Sequence, residues 1–114
     1  MPRSVPLLPL SVRRSLRQLG RDLQHARGRR SFSAELVAER AQISRPTLWR
    51  AEKGDAAVGI GTYATLLWVL GLEDRIGRLA ASESDAIGLS MADEDLPKRI
   101  RKKAEKPNKN VGSG

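Results

Sequence analysis

The sequence predicts an all-α fold, with five short helices between residues 12 and 80 and flexible segments before and after them. Apolar residues recur at helical spacing, and serine or glycine marks the expected helix ends. No stretch alternates polar and apolar residues in the way that a half-buried strand does. A chain of 114 residues has room for one small domain with a modest core.

The first predicted helix carries an apolar stripe on an otherwise basic surface. The stripe consists of residues at i, i+3, i+7 and i+10, the spacing of one helix face: Leu16, Leu19, Leu23 and Ala26. The other faces carry five arginines: Arg13, Arg14, Arg17, Arg21 and Arg27. We expect this helix to end at the Gly-Arg-Arg sequence of residues 28–30.

The second and third helices are each predicted to begin at a serine that caps free backbone N–H groups. Ser33 precedes the second helix, which we expect to reach about residue 41. Ser44 precedes the third, and because Pro46 has no N–H, we expect the Ser44 hydroxyl to accept from the Thr47 N–H. We expect Gly54 to end the third helix in a left-handed conformation.

Two more helices complete the predicted domain. The fourth is expected to start at residue 61 or 62, to run to Leu70 and to be closed by Gly71. The fifth is expected from about residue 73 to residue 80, with Ile76 and Leu79 facing inward.

The second and third helices are joined by residues 42–44 alone, too few for an antiparallel hairpin with a long overlap. We therefore expect the two helices to cross steeply, as in a helix-turn-helix. Apolar residues occupy the inward positions of such a pair: Val37, Ala41, Ile43, Leu48 and Ala51. Ala38 is small where the two helices must approach closely. The outward face of the third helix then consists of Arg45, Pro46, Thr47, Trp49, Arg50 and Lys53.

This outward face has the chemistry of a DNA-reading helix. No core requires two arginines there, whereas a guanidinium matches the two acceptors of guanine in the major groove. The alternative interpretation is a solvated helix surface without a partner. Trp49 has two interpretations of equal weight: its ring lies against the sugar-phosphate backbone, or it covers the edge of the second helix.

The net charge of +8 is concentrated at both ends of the chain. Residues 1–30 contribute +7, residues 31–97 contribute −5 and residues 98–114 contribute +6, whereas residues 31–80 are neutral. We therefore expect long-range attraction to DNA to come from the first helix and the basic tail. Phosphate contacts are expected at Lys98, Arg99, Arg101, Lys102 and Lys103, although a solubilising tail or contact with a partner protein are alternatives.

These observations predict three segments. Residues 1–11 form a flexible N-terminal arm, residues 12–80 form the helix-turn-helix DNA-binding domain, and residues 81–114 form an acidic spacer and a basic flexible tail.

Other classes of function find no support in the sequence. The chain has no cysteine for disulfide or thiolate chemistry, and its single histidine, His25, has no metal-ligating partner at a suitable spacing. No carboxylate pair is set in an apolar cleft for acid–base catalysis. We therefore expect no enzyme activity, no metal and no cofactor. The lack of cysteine fits a cytoplasmic protein, and the absence of a long apolar run predicts that it has no membrane partner.

The segment SAELVAERAQISRPTLWRAEKG, followed by TYATLLWVLGL, resembles the helix-turn-helix of Cro and phage repressors, the XRE family, over roughly residues 15–80. The resemblance implies a lambda-repressor-like fold in which Glu52 pairs with an arginine or the next loop. One departure is Gln42, because the family usually has glycine at this left-handed turn, where a side chain costs roughly 1–2 kcal/mol.

The same resemblance assigns candidate DNA contacts. It implies that base edges are contacted by Arg45, Pro46 and Arg50, and that Ser33, Ala34 and Thr47 lie near phosphates. We add three expected contacts to the DNA backbone from the third helix. Ser44 lies at the positive N-terminus, which favours a phosphate, and the outward face adds Trp49 and Lys53.

A narrower resemblance concerns the partner proteins. The segment GTYATLLWVLGLEDRIGRLA, an acidic spacer and then LPKRIRKK are similar to HipB-type antitoxins encoded beside HipA-type kinase toxins. This implies a homodimeric, nucleoid-associated autorepressor that binds a HipA-type kinase toxin and a palindromic operator, with recognition helices about 34 Å apart. The alternative is a toxin-neutralising interaction module that binds DNA weakly or not at all.

Overall fold

The structure is a computed structural model that describes residues 7–94. No strand occurs in this part of the chain, so the all-α prediction is confirmed. The helices are α1 (Leu10–Arg29), α2 (Ala34–Ala41), α3 (Arg45–Glu52) and α4 (Ile60–Val69), followed by 3₁₀ helices at Glu73–Arg78 and Ser82–Ser84. Residues 86–94 are also helical. The chain divides into two compact units at the Ile76–Gly77 bond.

The first unit contains the core. In it α3 packs against both α1 and α2, and α2 packs against α4. Four of the five positions predicted to point inward are buried, and Ile43 is half-buried against them. Ala38, predicted to lie at the close approach of α2 and α3, is buried as well. The buried core consists of Leu23, Ala26, Val37, Ala38, Ala41, Leu48, Ala51, Val58, Tyr63, Leu66, Leu67 and Leu70.

The longest helix, α1, begins two residues before the predicted domain boundary at residue 12 and ends at Arg29, inside the predicted Gly-Arg-Arg stop. Three residues of its apolar stripe face the core as expected, with Leu23 and Ala26 buried and Leu19 half-buried, whereas Leu16 is half-buried outside the core cluster. Gly20 is buried on the same helix. This glycine was not among the residues that the periodicity placed inward.

Gly20 lies where the backbones of α1 and the end of α3 come together. A Cβ built on Gly20 would lie 2.6 Å from the Glu52 carbonyl oxygen and 2.6 Å from the Gly54 nitrogen. Gly54 has φ +74°, as predicted for the end of α3, and a Cβ there would overlap the carbonyl of Leu16. Two glycines therefore allow α1 and α3 to approach more closely than any side chain would permit.

Tyr63 secures the loop that connects α3 to α4. Its side chain is buried, and its hydroxyl donates to the Asp55 carbonyl oxygen at 2.9 Å. Burial, with a smaller contribution from the Asp55 carboxylate, raises the pKa of the Tyr63 hydroxyl above its ordinary value. The neutral, hydrogen-bonded phenol is thus the form that the fold favours.

The predicted fifth helix differs from expectation. The fourth helix ends at Val69, one residue before the predicted end, with Leu70 as its C-cap. Gly71 closes it at φ +78°, as predicted, but residues 73–78 then form a 3₁₀ helix. Ile76 packs against the core, whereas Leu79 is 72% exposed, so the expectation that Leu79 faces inward is wrong. The reason is that the 3₁₀ helix ends at Arg78, one residue before this leucine.

The second unit, over residues 77–94, contains a helix where the sequence predicts an acidic spacer. Its first turn is stabilised locally, because Asp85 Oδ1 accepts from the Gly88 N–H at 3.0 Å. Ile87 and Met91 are exposed. The proposed division of the chain at residues 11 and 80 stays a prediction.

The contact of Gly20 with α3 gives a test of the packing. Gly20→Ala inserts a methyl group against backbone atoms, so we expect the free energy of unfolding to fall by about 1–3 kcal/mol. Gly28→Ala is the matched control, since nothing lies within 4 Å of its Cβ position and alanine raises helix stability by roughly 0.5–1 kcal/mol. Urea unfolding followed by circular dichroism measures both. Equal stability of the two variants would contradict the close approach.

Candidate nucleic-acid interface

The start of α3 is built as the sequence predicts. Ser44 is its N-cap, and the Ser44 hydroxyl accepts from the Thr47 N–H at 3.1 Å. Pro46 lies in the first turn, where an N–H has no intrahelical partner, so the proline costs the helix no hydrogen bond. Leu48 and Ala51 are buried, at 2% and 0% exposure, and so fix which face of the helix points outward.

The turn between α2 and α3 keeps a left-handed geometry without glycine. Gln42 has φ 58° and ψ 45°, and its N–H donates to the Glu39 carbonyl at 3.1 Å. The Ile43 N–H donates to the Ala38 carbonyl at 3.0 Å. These bonds satisfy the last carbonyls of α2 and accommodate the glutamine, whose backbone conformation costs roughly 1–2 kcal/mol. The departure at Gln42 therefore does not alter the turn.

An ion pair attaches α3 to α1. Arg27 Nε donates to Glu52 Oε2 at 2.7 Å, and Arg27 Nη2 donates to Glu52 Oε1 at 3.0 Å. The two side chains are only 18% and 10% exposed. The hydrogen bond to Glu52 is the largest cause of a raised pKa at Arg27 and outweighs the opposing effect of burial. Arg27 Nη1 also donates to the Phe32 carbonyl at 3.3 Å, which ties the start of α2 to the same guanidinium.

The ion pair confirms that Glu52 binds an arginine, but it corrects the placement of Arg27. The periodicity puts Arg27 with the surface arginines of α1, whereas its guanidinium is turned toward α3 and mostly covered. A helical pattern identifies the buried stripe of one helix and carries no information about which flanking residue meets a carboxylate from another. The sequence offered one signal for the position of Arg27, because this residue directly follows Ala26, which the periodicity places in the buried stripe.

The outward face of α3 is exposed as predicted. Arg45, Pro46, Arg50 and Lys53 are exposed and Thr47 is half-buried. Arg50 Nη2 donates to Thr47 Oγ1 at 3.2 Å, and Thr47 Oγ1 also accepts from the Ser44 hydroxyl at 2.9 Å. The guanidinium of Arg50 is thereby oriented, while most of its donors and the Thr47 O–H are left for a ligand. Within residues 7–94, the Arg45 side chain makes no hydrogen bond or ion pair.

Trp49 projects from the same face. Its side chain is 62% exposed, and the Lys53 ammonium lies 5.3 Å from the centroid of its ring. This cation–π contact holds the lysine along the outside of α3. With most of its surface exposed, Trp49 leaves a broad apolar face available beside the two arginines.

The two helix starts lie near each other. Ser33 caps α2 by accepting from the Leu36 N–H at 3.0 Å, as predicted. A surface groove of about 340 Å³ is lined by residues of α1, of the first turn of α2 and of α3: Gln24, Arg27, Ala34, Arg45, Pro46, Leu48, Trp49 and Glu52. The structure therefore brings Ala34 together with Arg45, Pro46 and Trp49. Gln24 also lines the groove and was not among the predicted site residues.

A comparison with protein-family models matches the helix-turn-helix domain over residues 18–80, more than half of the chain. The chain belongs to the helix-turn-helix domain family. Its domain indicates a DNA-binding regulator. In DNA-binding helix-turn-helix proteins the second helix of the pair is called the recognition helix, and α3 is the second helix here. Neither the search of curated proteins nor the search of solved structures returns a match.

Several sequence predictions concern parts of this helix-turn-helix protein other than the α3 surface. The five basic residues of the tail, Lys98, Arg99, Arg101, Lys102 and Lys103, lie outside the described residues. His25 is exposed on α1, and residues 7–94 hold no group of three or more metal-ligating side chains. Within the same part of the chain, no helix has the length and apolar character needed to cross a membrane.

The Arg27–Glu52 ion pair gives a test of how α3 is attached to α1. Glu52→Gln removes the carboxylate from two charge-assisted hydrogen bonds, so we expect the free energy of unfolding to fall by about 1.5–3 kcal/mol. Glu39→Gln, on the exposed side of α2, makes the same chemical change and is expected to alter stability by less than about 0.5 kcal/mol. Thermal and urea unfolding measure the difference. A Glu52 variant as stable as the Glu39 variant would show that the pair contributes nothing.

Proposed function

We propose that this chain is a sequence-specific DNA-binding repressor in which α3 enters the major groove. The observation that supports this most strongly is the exposed α3 surface, which presents Arg45 and Arg50 on a helix attached to α1 by the Arg27–Glu52 ion pair. A guanidinium recognises guanine best when its position is set in advance, because less side-chain freedom is lost on binding.

In this proposal the predicted contacts divide by chemistry. Arg45, Pro46 and Arg50 face base edges, and one bidentate arginine–guanine contact discriminates by about 1–3 kcal/mol. The phosphate backbone is contacted by the two helix starts and the flank of α3: Ser33, Ala34, Ser44, Thr47, Trp49 and Lys53. The first-turn N–H groups of an eight-residue helix have no intrahelical partners and carry a partial positive charge, which suits a phosphate.

We further propose that the repressor acts as a homodimer on a palindromic operator. A two-fold dimer places its recognition helices about 34 Å apart, one turn of DNA, so that each reads one half-site. A protein partner is supported by α4, where Ile60 and Trp68 are 68% and 59% exposed. Such large apolar side chains are covered when a second protein surface binds.

The most specific form of the proposal is the autoregulating antitoxin of a HipBA-type pair, acting in the cytoplasm at the nucleoid. It rests on the similarity of residues 61–80 and of the basic segment at 96–103 to HipB-type antitoxins. The partner in this case is a HipA-type kinase toxin. The exposed Ile60 and Trp68 equally favour the alternative, a toxin-neutralising module that binds DNA weakly or not at all.

Substitution of the base-facing arginines separates these functions. For Arg45→Ala with Arg50→Ala, we expect affinity for the promoter DNA of the chain's own gene to fall by roughly 30-fold or more, because two contacts of about 1–3 kcal/mol each are removed. Neutralisation of a co-expressed kinase toxin encoded by the neighbouring gene is expected to be unchanged. Gel shift and growth rescue measure the two activities.

The matched control is Arg75→Ala with Arg78→Ala, which removes two exposed arginines outside α3. Promoter binding by this control is expected to stay within a few-fold of the parent protein. If the α3 variant binds the promoter as well as the control does, α3 is not the reading helix.

The basic tail is tested by the salt dependence of binding. If each copy in a dimer neutralises about four phosphates, the slope of log affinity against log salt is roughly −7. We propose that Lys98, Arg99, Arg101, Lys102 and Lys103 supply part of this slope, so deletion of residues 98–109 is expected to make it shallower. Fluorescence anisotropy over a range of salt concentrations measures it, and an unchanged slope removes the tail from the DNA interface.

A further inference from the structure

A second groove on the first unit lies beside the end of the recognition helix, outside the surface already assigned to DNA bases. It has a volume of about 310 Å³ and is lined by Leu7, Leu8, Arg13, Leu16, Arg17, Lys53, Gly54 and Ala56. Three of these residues are cations, and none is acidic. The remainder form an apolar floor.

The basic side chains of this groove come from two helices that the close approach of their backbones brings together. A Cβ built on Gly54 would lie 2.7 Å from the Cα of Arg17, so the arginine is adjacent to the end of α3. Arg13 precedes Arg17 by four residues and occupies the same face of α1, about 6 Å away along the axis. Lys53 is the C-cap of α3 and extends along its outer face over Trp49.

These cations have no anionic partner in the described part of the chain. The one ion pair among residues 7–94 is that of Arg27 with Glu52, and neither Arg13 nor Arg17 donates a side-chain hydrogen bond there. Arg21, the next basic residue along α1, is instead bound to Gln18 at 3.0 Å. Arg13, Arg17 and Lys53 therefore form a cluster of positive charge that no carboxylate offsets.

We propose that the Arg13–Arg17–Lys53 groove binds the sugar-phosphate backbone of DNA alongside the major groove read by α3, an inference that rests on the proposed function. The two arginines lie about 6 Å apart along α1, which corresponds to between one and two phosphate steps of 3.4 Å along the duplex axis, so their long side chains reach phosphates one or two positions apart on one strand. The apolar floor suits the sugars between them. Arg13 and Arg17 precede residue 18, where the family match begins, so the arginine part of this contact lies outside the matched residues, whereas Lys53 lies within them.

The role of the cluster is positional and independent of sequence. Phosphate contacts fix the register of a protein on the duplex, while base contacts discriminate between sequences. An α1 bound to one strand next to Lys53 limits rotation of α3 about its own axis. Extension of α1 to Leu10 thus lengthens the DNA-binding surface rather than the core.

The test compares two variants that lose the same charge from the same helix. Arg13→Gln with Arg17→Gln empties the groove of its arginines, whereas Arg14→Gln with Arg29→Gln removes two exposed α1 arginines that line neither groove. The full chain is titrated with a mixed-sequence 24-base-pair duplex over a range of salt concentrations, and affinity is read by fluorescence anisotropy. The duplex length is chosen as about two turns of DNA.

We expect the groove variant to lose about two units of log–log slope per copy, since each phosphate contact contributes about 0.9. The control is expected to lose less than about half a unit, because charges without direct contact are screened over roughly 10 Å at 0.1 M salt. Arg13→Lys with Arg17→Lys is expected to retain the parent slope, since it keeps both charges. Circular dichroism verifies that all three variants fold, as substitutions at exposed positions should allow.

Two results would overturn the inference while leaving the proposed function intact. If groove and control variants lose equal slope, net charge alone is responsible; if neither loses slope, α1 does not touch the backbone. If the parent chain itself binds neither this duplex nor its promoter, the proposed function fails and the groove has no DNA to bind.

Discussion

The orientation of α3 depends on its attachment to α1 through the Arg27–Glu52 ion pair and the contact at Gly20. The helix has eight residues and spans about 12 Å, and isolated helices of this length are not stable in water. Only two of its side chains, Leu48 and Ala51, belong to the buried core. Two charge-assisted hydrogen bonds and a backbone-to-backbone contact supply the remaining constraint. They act at the end of α3 opposite to the Ser44 cap, so both ends of the helix are fixed.

The same arrangement bears on the proposed function, in which a domain that is neutral over residues 31–80 has to attract DNA. Six arginines and one aspartate lie along α1, the helix that also anchors α3. Arg27 binds Glu52, and other arginines of α1 remain exposed beside the recognition helix. The scaffold and the source of positive potential are therefore one element, and any shift of α1 displaces the reading surface with it.

Local chemistry made much of this structure predictable. The Ser33 and Ser44 caps, the left-handed Gly54 and the inward residues of α2 and α3 follow from patterns that extend over a few residues, and the structure has them as expected. The buried positions of Gly20 and Arg27 could not be predicted in this way. Their roles depend on residues about 25 to 34 positions away, and no periodicity encodes such contacts. The misplaced Leu79 reflects the similarity in sequence between a short α-helix and a 3₁₀ turn. The exposed face of α3 was predictable because it is what remains once the buried face is known.

The position of Trp49 provides the molecule with an intrinsic optical reporter. The chain contains two tryptophans, and Trp49 lies on the recognition helix with its ring largely in solvent and a lysine ammonium above it. Its emission therefore responds to whatever occupies that surface, without any dye or label. Trp68 lies on α4 instead, so its replacement by phenylalanine isolates the signal from α3.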